Sequence, residues 1–189
     1  AASANPQQVD VAALLGSTNA SYVTTTGVAT NVLNLKNLDT SGAGATVIIN
    51  NATGTTNAGV TLSGTAGAAN NDVLNVKLAD TSTAGTVVAF GTVTAENVET
   101  VNVDVSDART TTVPAQAIMT ATLTDSAVTA IKVTGNQSLN LTHTAGTALT
   151  SLDASGMTLG GLTFTSNASQ YASTVIGSAK GGDVISFAD

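Results

Sequence analysis

Three stretches of this chain carry one pattern. Val98-Glu-Thr-Val101-Asn-Val103, Val128-Thr-Ala-Ile131-Lys-Val133 and Leu149-Thr-Ser-Leu152-Asp-Ala154 each read apolar, polar, small, apolar, polar, apolar. Shorter alternating runs fall between and after them, "SLNLTHT" at 138–144 and "GLTFTS" at 161–166. The last two long runs, from Val128 and from Leu149, are spaced much as the two short ones are. A unit of roughly 20 residues with two strands cannot bury its apolar face alone, and stacking such units does bury it. The first interval, from Val98 to Val128, is longer. Its excess reads as a longer loop around "DARTTTVPAQA", with Pro114 leaving the ladder.

The same period of two runs through most of the chain. "VLNLKNL" at 32–38, "TVIIN" at 46–50, "GVTLSG" at 59–64, "DVLNVKL" at 72–78, "TVVAF" at 86–90 and "ATLTD" at 121–125 read as strands. "AIKVTG", "STVIGS" and "DVISF" extend the series. Gly, Asn, Ser, Thr and Ala connect them, which suits tight turns. Composition agrees with stacked layers. Apolar residues reach 42%, yet only 3% are aromatic, so the core must be built from Val, Leu, Ile and Ala. Thirty-four threonines favour strands and supply uncharged outer ladders. The expected fold is all-β, a parallel β-solenoid. An antiparallel sandwich uses the same strands, but the Asn-Gly and Asp-Gly hairpin signatures are absent.

Only the N-terminus reads as helix. In "SANPQQVDVAALLG", Asn5 can cap, Pro6 takes the first helical position and Gly16 ends the run. The expected division is a capping segment with a short helix at 1–30 and a β-solenoid domain at 31–189.

Charge limits the partners. Five basic residues, Lys36, Lys77, Arg109, Lys132 and Lys180, are scattered in a chain of net charge −7, which leaves no footprint for a nucleic-acid backbone. An acidic, sparsely charged surface suits divalent cations and self-association. No apolar run approaches a membrane-spanning length, and no secretory signal pattern opens the chain. The absence of cysteine fixes no compartment.

Catalytic patterns are missing. The one histidine, His143, lies in an alternating strand and reads as a strand-face residue. There is no G-x-S-x-G elbow, and "GAGAT" at 42–46 lacks the lysine and helix of a phosphate loop. Glu96 and Glu99 read as turn and strand-edge acids, with no aromatic sugar platform beside them. The expectation is that the chain is not an enzyme.

Taken in order, "ENVETVNVDVSD", "AVTAIKVTGNQSLNLTHTAGTALTSLDASGM" and "GLTFTSNASQYASTVIGSAKGGDVISFAD" resemble the repeat region of RTX-type bacterial surface-layer proteins of the Caulobacter type. The resemblance covers residues 60 to 189; residues 1–59 match in composition alone. It implies a structural, self-assembling component of a secreted surface layer. Such a component is calcium-dependent, exported by a type I system, and held extracellularly at the cell surface by lattice neighbours and outer-membrane lipopolysaccharide. A related adhesin or glycan-binding module is the alternative, and a solenoid-scaffold enzyme such as a lyase is a second.

The resemblance also points to metal sites. The RTX nonapeptide, G-G-x-G-x-D-x-U-x, binds calcium through turn carbonyls and its aspartate, with U buried. Asp183 aligns with the aspartate, Gly181 with the inner glycine and Ile185 with U. In "GAANNDVLN", Gly67, Asp72 and Leu74 take the first glycine, the aspartate and U. Both matches lose most glycines. Calcium wants six to eight oxygens at about 2.3–2.6 Å. Asp72 and Asp183 are too far apart in the chain to share adjacent turns, so each needs its own partner turn. Asp39, Asp104, Asp107, Asp153 and Asp189 are the available acids. The other reading of both is a solvated aspartate at a strand start.

Overall fold

The computed structural model describes residues 7–10, 19–24, 33–41, 44–51, 59–63, 71–80, 87–107, 118–146, 149–167 and 174–187. Every described element is a strand. In chain order they are β1 (Gln7–Asp10), β2 (Asn19–Thr24), β3 (Leu33–Lys36), β4 (Ala45–Asn51) and β5 (Gly59–Ser63). Next come β6 (Val73–Asp80), β7 (Val87–Thr94), β8 (Thr100–Asp107), β9 (Ile118–Thr124) and β10 (Ala130–Gly135). The last five are β11 (Ser138–Thr144), β12 (Ser151–Met157), β13 (Leu162–Ser166), β14 (Thr174–Ile176) and β15 (Val184–Phe187).

Successive strands alternate between two sheets. The eight odd strands form one in the order β1-β3-β5-β7-β9-β11-β13-β15, and the seven even strands form the other in sequence order. All pairs are parallel. The antiparallel sandwich is thereby excluded for the described strands. The internal similarity read from sequence is the pairing register: Ile131 lies between Val101 and Leu152, and Leu139 pairs with Leu162.

The registers also show how much chain each turn uses. Ala130 pairs with Thr100 before it and with Ser151 after it, and the earlier step is the longer one. On the odd sheet Ile118 stands in the same relation to Val87 and Ser138. Among the described pairs, every step from β9 and β10 onward is shorter than every step before them. The segment around Pro114, residues 108–117, lies outside the described residues.

Alternation decides what is buried. On β6 the pattern is half-buried then buried throughout, with Leu74, Val76 and Leu78 inward. The inward residues of both sheets form one continuous cluster with Phe90 and Phe164 its largest members. Columns such as Ala45, Leu74, Val101, Ile131 and Leu152 run across the even sheet, all within 1% of full burial. Each fully buried Val, Leu or Ile is worth about 1.5–3 kcal/mol, so the columns are the main source of stability. Where β10 ends, a glycine is needed: Gly135 has φ 125°, and a Cβ there would run into the Val105 carbonyl of the neighbouring strand.

The expected N-terminal helix is not seen among the described residues. Gln7–Asp10, in the middle of the expected helix, is a strand paired with Leu33–Lys36. The cap and proline signals are local. The open edge of β3 offers Gln7–Asp10 a row of backbone partners in parallel register, and tertiary pairing overrides local propensity. Residues 1–6 and 11–18 lie outside the described residues. β1 and β2 belong to the same two sheets as the rest.

Candidate metal-binding turns and a buried polar seam

The turn into β15 holds Asp183. Gly181 and Gly182 adopt left-handed φ values of 76° and 79°. They turn the chain so that the Asp183 carboxylate points back into the stack. Oδ1 accepts the Leu162 N–H at 2.7 Å and Oδ2 accepts the Ser178 N–H at 2.8 Å. Gly177 leaves room for this, since a Cβ there would press on Oδ2. Partial burial works to raise the Asp183 pKa, but the hydrogen bonds from Leu162 and Ser178 outweigh it and hold the carboxyl below its ordinary value. Ile185, the U position, packs half-buried against the core. Asp183 is thus a clamp between consecutive turns of chain, with both oxygens engaged.

Asp72 sits at a different corner, immediately before β6. Here a backbone staircase crosses the stack. Val73 N–H donates to the Thr40 carbonyl at 2.8 Å, Thr100 N–H to Asp72 at 3.0 Å and Thr129 N–H to Glu99 at 2.9 Å. Thr150 N–H continues it to Thr129 at 2.8 Å. Glu99 also accepts the Asp72 N–H through Oε2 at 2.8 Å. Asp72 is fully buried, and neither of its carboxylate oxygens has a hydrogen-bond partner. The Thr40 hydroxyl beside it eases the charge without reaching hydrogen-bond geometry. Burial first, then the charges of Glu99 and Asp39, raise the Asp72 pKa. Leu74, its U residue, is fully buried.

The other acids do not converge. Asp39 is held by the Ser41 N–H and hydroxyl at 3.0 and 2.6 Å. Asp104 faces Lys77 at 4.0 Å, and Asp153 accepts the Ser155 N–H at 2.9 Å. Gly67 and Asp189 lie outside the described residues, as does the side chain of Asp107. Among the described residues, no three or more His, Cys, Asp or Glu side chains are grouped to hold a metal ion. Asp72 acts with Glu99, a pairing the sequence reading missed. The signal was the period: Val73 pairs with Thr100, so the residues before them also meet.

A second unanticipated cluster lies inside. His143 belongs to an inward column of the odd sheet, between Leu123 and Ser166, and is fully buried. Parity in "SLNLTHT" already puts His143 on the side of Leu139 and Leu141. Its Nε2 lies 3.3 Å from the Asp125 carbonyl oxygen, which can only accept, so Nε2 carries the proton. Nδ1 then accepts from the Ser166 hydroxyl at 2.9 Å. Phe164 stacks nearby with ring centroids 6.4 Å apart. Burial lowers the His143 pKa. Asp125 Oδ1 accepts the Ala127 N–H at 2.8 Å, while buried Oδ2 has no partner. Burial pushes the Asp125 carboxyl up to about 6. Histidine meets Asp125 through its backbone, not its carboxylate, and all three residues are at most 1% exposed, so this is not the geometry of a nucleophilic triad.

No helix among the described residues is long and apolar enough to cross a membrane. Comparison with protein-family models, with curated proteins and with solved structures finds no match.

Proposed function

We propose that this chain is a β-solenoid segment of a secreted bacterial surface layer, a structural part that self-assembles with the help of calcium. The observation that carries the reading is the strict alternation of successive strands between two parallel sheets, each kept in sequence order. A chain that advances this way forms a stiff rod whose outer ladders are presented at a fixed spacing, and it needs no disulfide to do so. Its place would be outside the cell, after type I export, among lattice neighbours and against lipopolysaccharide.

No ready-made cluster of calcium ligands is grouped among the described residues, and Asp72 is the position there that a cation would relieve most. A buried carboxylate without a partner is costly unless a cation or proton joins it, and Asp72 is such a group. Asp72 would be the central ligand, with Glu99 and Asp39 as the nearest acids. Bound calcium would supply the countercharge that lets this corner close. Asp183 is a poorer ligand, since its oxygens already accept backbone N–H groups.

The adhesin alternative has its own observation. A groove of about 430 Å³ on the outer face of the even sheet is lined by Asn75, Asn102, Lys77 and Asp104 among others. These groups suit hydroxyl-rich ligands, but no aromatic ring lines the groove for a sugar to stack on.

Calcium titration with light scattering and far-UV circular dichroism tests the reading. The wild type should stay β-structured and grow into large particles that a chelator reverses. Asp72→Asn should shift the calcium midpoint upward by at least tenfold, whereas Asp183→Asn should shift it less. A folded chain whose size ignores calcium would end the reading.

A further inference from the structure

The two sheets differ in what they present to solvent. Outward positions of the even sheet carry Lys77, Asp104, Lys132 and Asp153. Strands β7, β9, β11, β13 and β15 of the odd sheet have no charged outward residue at all. Exposed aliphatics stand on that face, as Ile176 does at the β14 edge of the even sheet. Val87 pairs with Ile118, and they are 51% and 38% exposed. Val184, on β15, is 56% exposed. The column Thr92, Thr122, Thr142, Thr165 crosses the same sheet in register.

We infer that the outer face of β7 to β15, the part of the odd sheet beyond the exposed Lys36 of β3, is a contact between two copies of the chain. It rests on the self-associating reading for its partner, though not on calcium or on a lattice. Two arguments select a second copy. The first is charge: burying a charged side chain away from water takes several kcal/mol, and this is the face that can be covered without doing so. The second is repeat. Strands spaced about 4.8 Å apart make ridges and grooves that another copy of the same face matches along its whole length, as in stacked sheets about 10 Å apart.

Threonine hydroxyls do not forbid the contact. Thr124 and Thr144 bond to each other through their hydroxyls at 2.7 Å, so the ladder already satisfies part of its own polarity. Stiff β-branched side chains also lose little rotamer freedom on being covered. The same patch on both partners makes the contact isologous, and such a contact closes at two copies. The inference is therefore a dimer, and any larger array must use other surfaces.

Sedimentation velocity over a wide concentration range, in chelator, decides it. The wild type should show a reversible monomer–dimer equilibrium. Thr122→Lys with Thr142→Lys places two charges mid-face and should weaken dimerisation by at least about a hundredfold. Thr46→Lys, on the outer face of the even sheet, should leave it unchanged. Asn140→Lys, a single exposed position, serves if the double variant lacks the wild-type circular dichroism. A wild type that remains monomeric, even one that adsorbs to a polysaccharide, overturns the inference. So does a Lys variant on the odd face that dimerises like wild type, or a Thr46→Lys chain weakened equally. A calcium-free dimer that calcium does not enlarge would sink the surface-layer reading and leave this contact standing.

Discussion

Asp125 and His143 share a seam yet titrate against each other. Asp125 is raised from 3.8 to about 6 in the fold, chiefly by burial, with Glu99 and Glu96 adding to the rise. The folded state therefore holds this proton more tightly than the unfolded chain. The stabilisation is complete below about pH 4 and is lost as pH climbs through about 6. His143 runs the other way: its pKa is lowered from 6.5 by burial, so its stabilisation is present above 6.5 and is lost as pH falls. The mildly acidic range, where neither group is fully charged, should favour the fold. Asp125→Asn keeps the Oδ1 acceptor and removes the charge. Its thermal midpoint should exceed that of wild type at pH 8, by an amount equivalent to as much as about 3 kcal/mol, and the gain should vanish at pH 4. Equal effects at both pH values would mean that Asp125 is already neutral or that its burial is relieved at neutral pH.

Strands were the most legible elements because their signal is local and periodic. Each of the thirteen runs read as a strand coincides with an observed one, from β3 to β15, because one buried face forces alternation. The N-terminal strands were not legible. Gln7–Asp10 has one apolar residue, and only its position beside β3 makes it a strand. Turn chemistry was half legible. "AKGGDV" announced a turn with an aspartate, but which backbone groups that aspartate meets depends on the step of chain that brings Leu162 beside it. Asp183→Ala should therefore act on elements, not on a metal. Loss of two charge-assisted bonds should destabilise the last strands by about 2–4 kcal/mol and speed amide exchange at Leu162 and Ser178, with β6–β8 unaffected. Unchanged exchange at Leu162 would show that the clamp contributes nothing to holding the last strands.

Across the whole molecule, each pair of strands touches chiefly its two neighbours in the stack, so stability is close to a sum of local units and their interfaces. Such an architecture can lengthen without redesign, and its outer ladders repeat at the strand spacing whatever the inner columns contain. That is what the proposed surface-layer role requires. The step shortens from β9 onward, so the later turns carry less connecting chain per strand pair. The most direct test is to image the calcium-treated chain by electron microscopy. The surface-layer account predicts thin ordered sheets whose Fourier transforms give discrete reflections and which disperse in chelator. Discrete single rods at every calcium concentration, or shapeless aggregates that a chelator cannot reverse, would contradict it.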